Sequence, residues 1–201
     1  ALLAKNCAEW FISDLAMQMA GLVSVPLYPL QSAESIAYVL EHAQCKVILL
    51  GKLDDADKLE AGIGPQLTRI ALPYPTLACA HDWHSLLARH APLQTLAEQQ
   101  PEQVLTLVYT SGTTGKPKGV MLTHRNVMSN VKAVMSVIQP RLDDVFLSFL
   151  PLSHTFERTA GYYLPMAAGA CVVYARSVAL LSEDLRNVRP TVLVSVPRIY
   201  E

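Results

Sequence analysis

Short, nearly continuous apolar runs punctuate this chain, and segments with helical spacing fill the intervals between them. Residues 22–27, 46–50, 104–109, 145–149, 170–174 and 191–194 are each apolar along most of their length. A strand with one wet face alternates apolar and polar side chains; a strand covered on both faces does not. The pattern therefore predicts an α/β fold of largely parallel sheets flanked by helices. Residues 1–4 and 69–72 add two weaker strands, and 120–122 a short one. Helices are expected over 8–20, where Trp10, Phe11, Leu15, Met17 and Met19 fall at helical spacing, over 33–43 behind a Ser32 cap, and over 54–61 and 82–89. Others are expected from a Thr123 cap to about residue 138, over 155–168 with Gly169 as the stop, and over 180–187. Met17, Met19, Met121, Met128, Met135 and Met166 fall on apolar faces and are expected in the core. Proline and glutamine thicken between Pro92 and Pro101. That connector divides a first α/β portion, 1–100, from a second, 101–201.

Composition removes several function classes. The 201 residues carry 16 Lys+Arg against 17 Asp+Glu, a net charge of -1. A nucleic-acid-binding surface would show a strong basic excess. Apolar residues make up 51% and charged residues 16%, where about 25% charged is ordinary. This excludes a disordered chain. It also fits a piece of a larger protein, which the abrupt opening Ala1-Leu2-Leu3-Ala4 and the plain end at Tyr200-Glu201 lead us to expect. The uncharged stretches 15–33 and 159–175 have the length of a membrane span. Pro26 and Pro29 interrupt the first, and Gly161, Pro165 and Gly169 the second, so neither is expected to span. Cys7, Cys45, Cys79 and Cys171 lie far apart with no C-x-x-C pair and read as buried thiols of a reducing, cytoplasmic compartment. Cys79, His81 and His84 sit at metal-like spacing, with His90 beyond, but no second well-spaced pair completes a zinc site. Asp54, Asp55 and Asp57 read as a solvated loop.

The chemistry concentrates in residues 109–119, Tyr-Thr-Ser-Gly-Thr-Thr-Gly-Lys-Pro-Lys-Gly. After the tyrosine come four hydroxyls, three glycines and two lysines, without one acid. Glycines let backbone N–H groups approach an anion. Hydroxyls donate to phosphate oxygens, and lysines supply positive charge beside a polyphosphate. The bland alternative is a flexible linker, but linkers do not usually follow a buried strand and carry two lysines and a proline. The segment is not a Walker A loop: Gly112 and Gly115 are too close, and Pro117 stands where Ser or Thr belongs. Gly62-Ile63-Gly64 lacks the third glycine of a dinucleotide fingerprint.

From Tyr109 to Asn126 the sequence resembles the phosphate-loop signature of the adenylate-forming (AMP-binding) superfamily. Asn6-Cys-Ala-Glu9-Trp10 and Val25-Pro26-Leu27-Tyr28 resemble that superfamily's N-terminal region, and Leu150-Pro-Leu-Ser-His154-Thr-Phe-Glu157-Arg158 its next motif. The Ser-His-Thr-Phe-Glu-Arg form, with Gly161-Tyr-Tyr163 and Val196-Pro-Arg-Ile-Tyr-Glu201, is most similar to the long-chain fatty acid–CoA ligases.

The resemblance implies an acid–thiol ligase. Such an enzyme joins ATP and a fatty acid into an acyl-adenylate, then passes the acyl group to coenzyme A, with Mg²⁺ beside the phosphates. It implies that Thr110, Ser111, Gly112, Thr113, Thr114 and Gly115 cradle the β- and γ-phosphates and that Lys116 and Lys118 add charge. Thr110 would also help to hold Mg²⁺. His154 would orient the acyl group or gate its tunnel; a structural histidine at a helix start is the alternative. His124 reads as a first-turn helix residue. The family's Tyr-Gly-x-Thr-Glu segment, its ribose-binding Asp and its late catalytic Lys have no counterpart among these residues, so the 201 residues alone are expected not to complete adenylation. A different acid–CoA ligase, a peptide-synthetase adenylation domain and a non-catalytic nucleotide-binding module stay open as alternatives. A fatty-acid substrate is compatible with peripheral membrane contact, though nothing in the residues demands it. Chain-length preference and oligomeric state are not legible.

Overall fold

The computed structural model describes residues 1–74, 76–110 and 116–199. The chain divides into two compact units, Ala1–His124 and Arg125–Glu201. The first unit begins with β1 (Leu2–Leu3), α1 (Ala8–Met19), β2 (Pro26–Leu27), α2 (Ala33–His42), β3 (Val47–Leu50), α3 (Ala56–Glu60), β4 (Thr68–Ala71), β5 (His81–Asp82) and α4 (Trp83–Arg89). Its strands form one parallel sheet in the order β2-β1-β3-β4-β5. Leu2 and Leu3 are wholly buried. β1 is flanked by β2 and β3, and its two side chains point to opposite faces of the sheet, so their complete burial shows that both faces are covered there.

Leu3, Leu27, Ile36, Val39, Ile48 and Leu50 are fully buried and belong to one core cluster. Each contributes on the order of 1.5–3 kcal/mol by leaving water. Helix α2 supplies Ile36, Val39 and Leu40, the i, i+3, i+4 stripe of an amphipathic helix. It starts where the sequence predicts: the Ser35 N–H donates to Ser32 Oγ at 3.2 Å. Helix α1 buries Trp10 completely.

After the connector come β6 (Val104–Thr110) and β7 (Lys118–Thr123), paired antiparallel as a hairpin. Residues that the sequence assigns to a strand over 22–27 form less: β2 covers Pro26–Leu27, and Ser24 makes an isolated parallel bridge to Thr106. That bridge ties the hairpin down. Ser24 N–H donates to the Leu105 carbonyl at 3.2 Å, and Leu107 N–H donates to the Ser24 carbonyl at 2.9 Å.

The second unit holds most of α5 (His124–Val137), then β8 (Val145–Ser148), α6 (Thr155–Glu157), a π-helical turn (Arg158–Tyr163), α7 (Leu164–Ala168), β9 (Cys171–Tyr174) and α8 (Leu181–Val188). Strands β8 and β9 are parallel, joined by the crossover from α6 through α7. Pro165 explains the widened turn ahead of α7. It has no N–H, and its ring clashes with the carbonyl of Gly161, four residues back, in a regular helix. Gly169 ends the helix in the left-handed region, φ 68. Residues 191–194, read as a strand, contribute a bridge between Val192 and Phe146 instead.

Two expectations about burial fail. Met19, Met121, Met128 and Met166 are exposed rather than core. Their helical or strand spacing located an apolar face, but the described residues leave it uncovered at these four positions. Cys171 is exposed and Cys45 and Cys79 are half-buried, so Cys7 is the buried thiol of the four.

Candidate functional site

The hairpin brings together the two described ends of the acid-free segment. Leu105 and Val108 are buried, and the buried Thr106 hydroxyl donates to the Ser24 carbonyl at 2.8 Å. This anchoring fixes the register of β6, because a one-residue slip would expose its inward side chains. Thr110, at the strand's end, is exposed and pairs across with Lys118, the exposed first residue of β7. Lys116 is exposed as well. One hydroxyl and two ammonium groups are thus presented around the loop mouth. The expected phosphate cradle Ser111, Gly112, Thr113, Thr114 and Gly115 lies outside the described residues.

The next pair inward is Tyr109 opposite Gly119. A side chain at Gly119 would place its Cβ 3.0 Å from the tyrosine ring, so the small residue makes room for Tyr109. The Tyr109 hydroxyl shares a 2.7 Å hydrogen bond with His42 Nδ1. The two rings meet edge to face at 5.8 Å. Burial pushes the Tyr109 phenol above its ordinary pKa and keeps it neutral. Tyr38 stacks on His42 at 5.4 Å, and Lys116 Nζ lies 5.5 Å from the Tyr38 ring centroid. Sequence reasoning missed Tyr38 and His42. Their i, i+4 spacing on α2 was the available signal.

His154 belongs to the second unit and caps α6. Its Nδ1 accepts from the Phe156 N–H at 3.2 Å. An accepting ring nitrogen carries no proton, so this bond assigns the neutral ring's proton to Nε2. The side chain is exposed. It therefore has the structural role expected of a helix-start histidine and still presents one donor.

Three residues on, Glu157 is 1% exposed. Ser148 Oγ–H donates to its Oε1 at 2.6 Å, while Oε2 has no hydrogen-bond partner among the described residues. Burial drives its carboxyl pKa up to about 7, against the smaller opposing effect of Ser148. Gly161 lies directly on the carboxyl; an added Cβ would fall 2.2 Å from Oε1. The motif around His154 contains Glu157 but assigns it no role. Its position beside Arg158, just ahead of the uncharged run 159–175, was the hint. His124 opens α5, with its backbone N–H donating to the Gln103 carbonyl at 3.2 Å.

The Thr110 hydroxyl is a hard oxygen donor, the kind that Mg²⁺ accepts alongside phosphate oxygens and waters, so the residue fits the ion. Among the described residues, no three His, Cys, Asp or Glu side chains gather into a metal-binding group. No helix among them is long and apolar enough to cross a membrane.

Comparison with known proteins decides the family. The profile of the AMP-binding enzyme family matches residues 1–201. The chain belongs to the AMP-binding enzymes. Among its relatives, "Long-chain-fatty-acid--CoA ligase 5" of Mus musculus is 33% identical over 220 aligned positions, covering 98% of this chain and 32% of the relative. "Fatty acyl-CoA synthetase A" of Dictyostelium discoideum is 35% identical over 211, covering 98% and 31%. The chain thus spans about a third of the length of these relatives. The solved structure of the anthranilate CoA ligase AuaEII in complex with anthranoyl-AMP superposes with a TM-score of 0.86 at 22% identity, covering 100% of this chain and 40% of that one. The AMP-binding fold, with largely parallel sheets flanked by helices, is therefore the fold of this chain.

Proposed function

We propose that this chain is the phosphate-gripping portion of a long-chain fatty acid–CoA ligase. The carrying observation is the hairpin that holds Thr110, Lys116 and Lys118 exposed around an acid-free loop on a register-locked strand. Two relatives of the chain carry fatty acid ligase names across nearly all of its length, which supports the acid class.

The reaction needs little proton chemistry. A fatty acid is ionised at neutral pH, so its carboxylate attacks the α-phosphorus of ATP and displaces pyrophosphate without a general base. The obstacle is an anion approaching a polyanion, and fixed positive charge lowers it. Lys116 and Lys118 supply two such charges, and the residues 110–115 supply hydroxyls and backbone N–H groups to the β- and γ-phosphates. Mg²⁺, held in part by the Thr110 hydroxyl, supplies further neutralisation when bound. We assign to His154, whose cap on α6 leaves the neutral ring's proton on Nε2, the orienting of the substrate carboxyl. Coenzyme A then takes the acyl group on its sulfur, the bond to AMP breaks, and AMP and the thiol proton leave. The four cysteines are free thiols, as a reducing cytoplasm leaves them.

The test is ATP–pyrophosphate exchange by a protein containing this chain, with palmitate, benzoate and amino acids as the acid. Palmitate-dependent exchange is expected. Exchange supported by benzoate or amino acids and not by palmitate would overturn the substrate class, and no binding of ATP at all would overturn the site.

A further inference from the structure

We infer that Tyr38 and His42, on the last turns of α2, are positioning residues for the phosphate-binding lysine Lys116. This rests on the reading of Lys116 as a phosphate ligand. Three contacts carry it. The Lys116 ammonium lies 5.5 Å from the Tyr38 ring centroid, within cation–π range. Tyr38 is stacked on His42, 5.4 Å away with ring planes 30° apart. His42 is locked to the base of the loop by the 2.7 Å bond to the Tyr109 hydroxyl.

The aromatic rings are themselves held. Tyr38 packs against the core cluster that contains Ile36, Val39 and Leu40 of its own helix. Tyr109 packs against the same cluster from β6 and is kept in place opposite Gly119. A rigid helix and a register-locked strand thus converge on one lysine. Lysine is otherwise a poor anchor: its four-carbon stem carries substantial rotamer entropy, and its charge is a point with no preferred direction. Resting the ammonium on an aromatic face removes part of that freedom before the ligand arrives, while the side chain stays exposed to receive a phosphate. The ligand in question is the polyphosphate of a nucleotide, since an ammonium held at the mouth of an acid-free, hydroxyl-rich loop suits an anion of high charge.

The geometry makes a quantitative demand. A cation–π contact at an exposed site is weak, and its loss lowers affinity by about two- to five-fold. Tyr38→Leu, made in a longer protein that contains this chain, should therefore raise KM for ATP about three-fold in ATP–pyrophosphate exchange, with kcat unchanged. Tyr38→Phe, which keeps the aromatic face, should restore the parent value. In a Lys116→Met background, Tyr38→Leu should add nothing, because the group it positions is gone. His42→Ala should weaken ATP binding in the same direction and likewise lose its effect in Lys116→Met. An unchanged KM in a folded Tyr38→Leu protein would overturn the inference, and so would the same rise persisting without Lys116. Should Tyr38→Leu fail to fold, His42→Ala on the exposed side of the helix carries the same cycle. If Lys116→Met alone leaves ATP affinity untouched, the phosphate role of Lys116 fails first; if only the Tyr38 and His42 effects are absent, that role stands and the positioning is wrong.

Discussion

Glu157 should make the second unit less stable as the solution becomes more alkaline. An unfolded glutamate titrates near 4.5, whereas this carboxyl is pushed up to about 7 by burial. Below pH 4.5 both states are protonated and the residue costs nothing. Between those two values the unfolded chain releases its proton while the folded one retains it, so folding is progressively penalised. Above pH 7 both are ionised and the penalty is complete. At about 1.4 kcal/mol per pH unit, the gap amounts to roughly 3 kcal/mol. Glu157→Gln removes the titration while its amide oxygen still accepts from Ser148. It also introduces an NH₂ beside Gly161, which costs about 1–3 kcal/mol if left without a partner. The expected result depends on pH. At pH 5 the variant is equal to the parent or weaker, and on raising the pH to 8 it gains roughly 2–3 kcal/mol on the parent. Amide hydrogen exchange across residues 155–168 reads this directly. Comparing variant and parent at the same pH cancels the intrinsic pH dependence of exchange. A difference between the two that is constant from pH 5 to pH 8 would refute the account.

Three other outcomes are expected. Ser32→Ala removes the cap of α2 and should destabilise the first unit by about 1 kcal/mol in urea unfolding, with Ser32→Asp close to the parent. Trp10→Ala empties a fully buried site on α1 and should cost about 3–5 kcal/mol by the same measurement. His154→Asn separates the two roles of that residue: asparagine caps the helix, so thermal stability should hold, while loss of the Nε2 donor should raise KM for the acid in pyrophosphate exchange.

Much of the α/β architecture could be read from local patterning. The stripe Ile36-Val39-Leu40, the Ser32 cap and the Gly169 stop are each set by neighbours within four residues, so a sequence displays them openly. The acid-free loop was equally legible, since excluding negative charge from eleven consecutive residues (109–119) is itself a chemical statement.

What remained hidden depends on partners distant in sequence. Met121 looks like core along its own strand, yet it is 67% exposed, because burial is decided by whatever else packs there. The i, i+4 spacing of Tyr38 and His42 pairs them with each other, but their meeting with Tyr109 and Lys116 spans more than sixty residues, which spacing along α2 does not announce. Glu157 is an ordinary acid in the sequence. Only the fold, by closing β8, Ser148 and Gly161 around it, withdraws the water that would have kept its pKa low. Local sequence sets most of the elements, while 22–25 and 191–194, apolar like strands, make only isolated bridges. The surroundings of a charge are a property of packing, and tertiary structure alone decides them.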